Sequence, residues 1–355
     1  MSGTQMRTSI RVGAMSVAWR PRVFFATALL ALTALAVFVM ALAIGDYTLP
    51  FSSIGQVLLG RGDETDRLVI VQWRMPRAAT AAGVGACLGL SGALLQSVTR
   101  NPLASPDILG ITMGASAAAV TVIVFGTGSA EVVATWLGGL GVSVSAAIGA
   151  LASALVIWLL AMRRSVDTFR LVLFGVVINA LLQSYVNYLL VKAELRDAQT
   201  ASFWLTGSLN AANWQTAAPM LALLAVLTPV LAWASFRLKA MELGPEVAIG
   251  LGLNPRINQF CFMGVSALLA AVAVAAAGPI GFAAFVAPQV AQRLCGVSAP
   301  PLVASALTGA ALVLGSDLVA THALPVALPV GLLTSAIGGS FLVYLLIHTN
   351  RRASI

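Results

Sequence analysis

Trp73-Arg74-Met75-Pro76-Arg77 opens the stretch that decides the fold, and Arg100-Asn101-Pro102-Leu103-Ala104-Ser105-Pro106-Asp107-Ile108-Leu109-Gly110 closes it. Between them, Ala78 to Val98 is 21 residues without a charge. About 20 residues rising 1.5 Å each cross the ~30 Å hydrocarbon core of a bilayer. Arg77 and Arg100 therefore mark opposite membrane faces. Gly85, Gly89 and Gly92 leave one helix face shallow, which lets a neighbouring backbone approach. The helix is expected inside a bundle rather than against lipid. In Ser105-Pro106-Asp107 the serine can cap, the proline can take the first helical position and the aspartate complements the dipole. The sequence predicts a new helix from there.

The rest of the chain agrees with a membrane reading. Of 355 residues 59% are hydrophobic and 9% charged, and the mean hydropathy is +0.95. No soluble fold needs that composition, so the chain is read as a polytopic all-α membrane protein. The net charge of +8 is spread between apolar runs rather than gathered in a patch, which argues against nucleic acid and for topology signals. Cys87, Cys261 and Cys295 lie far apart without metal-ligand spacing, so they read as small buried hydrophobes and no metal is expected.

Outward from the central helix, charge spacing predicts about ten transmembrane helices. Arg7, Arg11, Arg20 and Arg22 precede an apolar run from Val23 to Ile44. At 22 residues it exceeds a signal-peptide core, so it reads as an uncleaved first span with a cytoplasmic N-terminus. Gly45 to Gln72 is an external polar loop. Spans three to six are Ile108–Phe125, a segment within Val142–Met162, Leu171–Val191 and Ala217–Ser235. Lys192 to Gln215 is external, its tryptophans suited to a membrane interface. Ile257 to Gln292 is too long for one crossing and divides at Gly278-Pro279 into spans seven and eight. Spans nine and ten are Leu302 to about Ala320 and Leu332–Ile347. With this count fourteen of twenty basic residues are internal, and both termini are cytoplasmic. The domain map is a tail over 1–22, one membrane domain over 23–350 and a tail over 351–355.

Two stretches carry functional signals of their own. Span five holds Asn179, Gln183, Ser184, Tyr185 and Asn187, polar groups that in hydrocarbon need partners or water. They read equally as pathway lining or as hydrogen-bond glue between helices. Leu243 to Pro255 reads as a short internal helix. Pro245 and Glu246 favour its start, Gly252 or Asn254 can end it, and Val247, Ala248 and Leu251 share a face. That face can seat in a soluble partner or pack back on the bundle.

Four motifs in order resemble the permease subunits of ABC importers for iron chelates and cobalamin. They are Arg74 to Gly110; Leu243-Gly244 with Glu246, Ala248 and Leu251-Gly252; Gly278-Pro279-Ile280-Gly281-Phe282 with Ala287-Pro288 and Arg293; and Leu328-Pro329-Val330-Gly331 with Thr334 and Gly338. Asp167 to Leu171 and Trp204 to Trp214 look most like the second permease subunit of the ferric-enterobactin branch. The resemblance implies the type II ABC importer permease fold and a subunit that is not an enzyme. It implies an iron(III)-siderophore cargo, catecholate type favoured, with cobalamin or haem as alternatives. It further implies two cytoplasmic ATPase copies holding ATP and Mg, a periplasmic or lipid-anchored binding protein, and residence in the cell inner membrane. By motif, Arg74 and Arg77 resemble the arginines that receive the binding protein. Asn101, Leu103 and Thr168 resemble the cytoplasmic gate, Asn179, Gln183 and Asn187 stand as the pathway, and Leu243, Gly244, Glu246, Val247, Ala248, Leu251 and Gly252, within about 241–255, resemble the ATPase-coupling segment. Departures are Gln289 for a frequent histidine, Ala327 for a frequent glutamate and Thr321 for an external docking arginine. They leave the outer face short of charge, so a heterodimer with a second homologous permease is favoured.

Other classes leave weaker traces. No Gly-x-x-x-x-Gly-Lys-Ser/Thr loop exists, so ATP hydrolysis belongs to another chain. An ion-coupled secondary transporter would use Asp317, and an intramembrane hydrolase would use Ser116 and His322.

Overall fold

The structure is a computed structural model that describes residues 9–12, 15–18, 20–45, 47–107, 109–125, 141–161 and 168–353. Ten helices among them correspond to the ten expected crossings. They are α1 (Pro21–Ala43), α3 (Glu64–Thr99), α4 (Ile111–Phe125), α5 (Gly141–Ala161), α6 (Thr168–Lys192), α8 (Trp214–Glu242), α10 (Pro255–Ala277), α11 (Ala283–Cys295), α12 (Leu302–Ala323) and α13 (Val330–Ala353). Three short helices connect them: α2 (Phe51–Leu58), α7 (Leu195–Leu205) and α9 (Pro245–Gly250). Before α1, the strands Ser9–Val12 and Met15–Ala18 pair antiparallel in what the sequence suggested was a plain tail.

Helix α3 is the axis. Its membrane window is 83% buried, against 11% for α1 and 17% for α6, and α1, α8, α10, α11 and α12 pack around it. The glycine face does what its sequence implied. A Cβ on Gly85 would overlap the Gly309 carbonyl of α12, a Cβ on Gly309 would overlap that of Gly85, and Gly92 meets the Ala284 carbonyl of α11. Ala284 lacks its usual helical donor because Pro288, four residues on, has no N–H. Polar pairs add direction to this packing. The hydroxyls of Ser91 and Ser266, both buried, each donate to the other's backbone carbonyl at 2.8 and 2.9 Å, tying α3 to α10.

Arginines close helix ends. Arg22 donates to the Leu294 and Arg293 carbonyls at the end of α11, Arg100 to the Met241 carbonyl near the end of α8, and Arg74 to the Leu42 and Ala43 carbonyls at the end of α1. Orphan C-terminal carbonyls and the negative end of the helix dipole make these sites suited to a cation. The same bonds bring the start of α1 to the face that carries Arg100 and Arg293. Arg293 lies over the rings of Phe341 and Tyr344 on α13, so the end of α13 comes to this face too.

Two local expectations are corrected. The expected external loop up to Gln72 is helical from Glu64, and α3 at 36 residues is about 54 Å long. Its Leu68–Arg74 portion is π-helical, with Val69 and Ile70 buried. The third span begins at Ile111 instead of near Ser105, since Gly110 adopts φ +69° and closes a turn in which Gly110 and Ile111 donate to the Asp107 and Pro106 carbonyls; Ile108 itself lies outside the described residues. Within the expected external segment Lys192 to Gln215, the turn after α7 is tied to the bundle: Ser208 N–H donates to Ala277 O at 2.8 Å and Gly207 O accepts from Gly331 at 3.1 Å. At the start of α8, Asn213 and Thr216 form a reciprocal capping box. Asn213→Ala is expected to lower stability by about 1 kcal/mol, read as a lower melting temperature of the detergent-purified protein.

Candidate functional site

The loop after α3, the break between α10 and α11, the Leu205–Ser208 turn and the start of α13 converge on one cavity of about 690 Å³. Tight backbone contacts build it. Gly207, at φ +69°, has no room for a Cβ against the Pro279 carbonyl, and Gly331 has none against that of Thr206. Phe282, at the start of α11, holds a left-handed backbone (φ 62°) that is costly for a non-glycine residue. That conformation sets its ring in the cavity wall. Beside it, the carboxylate of Asp107 accepts from Thr112 Oγ1.

Ser105, Asp107, Thr112, Asn179, Thr206 and Ser335 supply the polar groups of the cavity. Among the described lining residues there is no lysine or arginine, and the one acid is already hydrogen-bonded. Without converging charges such a wall can pass a large polar solute but has little to hold it with. Sequence reading found Leu103 and Asn179 here and missed the others as site residues. They lay inside motifs already noted, but nothing in the linear order said that Thr112, Thr206 and Ser335 face one space.

The polar residues of α6 separate by role. Asn179 lines the cavity, and its Oδ1 is buried without a hydrogen-bond partner among the described residues. Gln183 and Asn187 lie one and two turns on, exposed and bonded to each other at 3.0 Å. Tyr185 hydroxyl pairs with Thr121 on α4 at 3.1 Å, which is glue between helices, while Ser184 bonds back to the Ala180 carbonyl of its own helix. At the Arg100 end, Asn101 Oδ1 accepts from Leu103 N–H at 2.9 Å and shapes the turn that puts Leu103 on the cavity. Thr168 is the first residue of α6, and its side chain lies outside the described residues.

The two arginines read as docking residues both make bonds within the chain. Arg77 forms a two-pronged ion pair with Asp317 of α12, both contacts 2.9 Å, and donates to Thr321 Oγ1 at 3.0 Å. Arg74 caps α1 as described and also donates to the Tyr47 carbonyl. Asp317 is thus a packing partner. Ser116 Oγ donates to the Thr112 carbonyl of its own helix and His322 is exposed, which leaves the hydrolase pairing without geometry.

The short internal helix exists as α9, framed by glycines. Gly244 precedes it at φ +111° and Gly252 follows at φ +78°. Leu253 N–H donates to Ala248 O and Gly252 N–H to Ile249 O, a Schellman ending. Asn254 does not end it but caps α10, accepting from Arg256 and Ile257. Glu246, Val247 and Leu251 are exposed, as is Leu243 before the helix. Ala248 is fully buried against the bundle and so leaves the face assigned to it.

A family model described as the FecCD transport family matches residues 31–348. The chain is 37% identical to the ferric enterobactin transport system permease protein FepG of Escherichia coli, covering 87% of this chain and 91% of that one. It is 33% identical to the cobalamin import system permease protein BtuC of Halobacterium salinarum, covering 82% and 76%. A solved structure described as an inward-facing metal-chelate type ABC transporter superposes with TM-score 0.76 at 27% identity, over 92% of this chain and 99% of the other.

Proposed function

Because the chain belongs to the FecCD transport family, we propose that it is the inner-membrane permease through which an ATP-driven importer carries an iron(III)-siderophore, catecholate chelates favoured. At family level it is an ABC importer permease of the iron-chelate and cobalamin class, a non-catalytic subunit. The observation that carries the finer reading is the 690 Å³ cavity, uncharged by cations and walled by three of the four motifs. Asn101 and Leu103 at its Arg100 end act as the cytoplasmic gate together with Thr168, and the α6 stripe of Asn179, Gln183 and Asn187 continues the pathway toward a second permease chain. Gln183 and Asn187, exposed on a helix buried only in small part, support a facing partner subunit. The face with Arg100, α9 and both chain ends is cytoplasmic. There Glu246, Val247 and Leu251, with Leu243, Gly244 and Gly252 framing the helix, seat in an ATPase whose ATP and Mg bias the bundle between states. Ala248 anchors the segment from beneath.

At the opposite face a binding protein delivers the chelate. Arg74 and Arg77 contribute through the positive potential of their partly exposed guanidiniums, and exposed ion pairs of this kind add about 0–1 kcal/mol each. The likeness to a ferric enterobactin permease supports the catecholate cargo, and the likeness to a cobalamin permease makes a corrinoid the second reading.

The test is uptake by cells lacking only this chain, given an iron-55 tris-catecholate, an iron-55 trihydroxamate and radiolabelled cobalamin. Loss of catecholate uptake alone is expected; loss of either of the other two instead overturns the cargo. Restoring the chain as the Val247→Asp/Leu251→Asp variant is expected to leave protein levels intact and cut uptake more than about tenfold, since charges enter an apolar docking face. Wild-type uptake by that variant would remove α9 from the coupling contact.

A further inference from the structure

Gln96 and Gln289 are buried amides, 3% and 5% exposed. Burying an amide is unfavourable unless hydrogen bonds offset it, and a leucine would fill the same volume. The bonds here have a direction. Gln289 Nε2, on α11, donates to Gln96 Oε1 at 2.9 Å and to the Pro102 carbonyl at 3.3 Å. Gln96 Nε2 donates onward to the Phe285 carbonyl, one turn earlier on α11, at 3.2 Å. The two hydrogens of one amide thus join α3 and the Asn101–Leu103 loop to α11. Pro102 has no N–H to offer, so its carbonyl is its polar handle. The other end of α11 carries Phe282 and Phe285, which wall the cavity.

We propose that Gln289 is a positioning residue for transport: it latches the Asn101–Leu103 loop to α11, so that a shift of α11 moves the cavity wall and its mouth together. The proposal rests on the reading of Asn101 and Leu103 as a gate. It assigns Gln96 the lesser part, because removing Gln96 leaves the bond from Gln289 to Pro102 in place.

The test measures thiol modification of Leu103→Cys in the full-length chain in native membranes, with Cys261→Ser removing the partly exposed native cysteine. Leu195→Cys, at a position 77% exposed on α7, serves as the reference, and the readout is the ratio of the two rates with a membrane-permeant maleimide. Gln289→Leu is expected to raise the ratio about five- to tenfold, the population shift that follows loss of a buried hydrogen bond. Gln289→Asn, which keeps an amide but withdraws it by one methylene, should do the same and serves if the leucine variant fails to accumulate. Gln96→Leu should raise the ratio less than about twofold. An unchanged ratio in both Gln289 variants, or an equal rise with Gln96→Leu, overturns the latch. A membrane-impermeant maleimide separates the two readings: labelling of Leu103→Cys from the outer side alone defeats the cytoplasmic gate, while the rate ratio still decides the latch.

Discussion

Gly309→Ala is expected to destabilise the protein by about 3 kcal/mol or more, and Gly309→Leu to leave no folded protein in the membrane. The glycine lies where α12 crosses α3, and an added Cβ would overlap the backbone carbonyl of Gly85, which no rotamer change relieves. The helices would have to separate along a contact that also includes Gly89 against the Ser305 carbonyl. Gly315 provides the control on the same helix. Nothing lies within 4 Å of a Cβ there, so Gly315→Ala should raise stability by about 0.5–1 kcal/mol through the ordinary helix preference for alanine. Melting temperatures of the two alanine variants in detergent should move in opposite directions. Equal shifts would mean that the close crossing of α3 and α12 is not what holds the axis.

Loss of either partner of the Arg77–Asp317 pair should have the next largest effect. The side chains are 30% and 11% exposed, so Asp317 is the deeper of the two. Removing the arginine strands a carboxylate between packed helices, and breaking a buried pair costs about 3–5 kcal/mol. Partial exposure of Arg77 lets water take up part of that, so about 2–3 kcal/mol is expected for Arg77→Met or Asp317→Leu. The double variant should recover most of the loss, because neither charge is then left alone. Arg77→Lys should fall between, since an ammonium cannot reproduce the two-pronged bond or reach Thr321 as well. Membrane abundance and thermal melts of the four variants check this. If Asp317→Leu were neutral for stability while Arg77→Met reduced only delivery by the binding protein, Arg77 would be a docking residue alone.

Run length and charge spacing were enough to anticipate the ten helices, seven of them long and apolar enough to cross a membrane, because a bilayer imposes a fixed thickness and charges are expelled to its faces. The glycine spacing of α3 likewise announced a buried helix, since a missing side chain matters only where another backbone comes close. Both are local properties of the chain, and both survive folding. The partners of particular side chains were not legible in the same way. Arg77 and Asp317 are 240 residues apart, and nothing in either neighbourhood tells a docking charge from half of an internal pair. The segment from Ser105 to Gly110 carries good helix-start chemistry, yet the Asp107 carboxylate accepts from Thr112, five residues on, Gly110 closes a turn at φ +69°, and the helix waits until Ile111. Ala248 shares an apolar stretch with Val247 and Leu251 but turns inward, because a six-residue helix lying on the bundle must bury one side. The cavity is the plainest case. Ser105, Asn179, Thr206 and Ser335 come from four separate segments, and only the crossing of helices around α3, governed by close backbone packing and by hydrogen bonds that must be completed out of water's reach, brings them to one space.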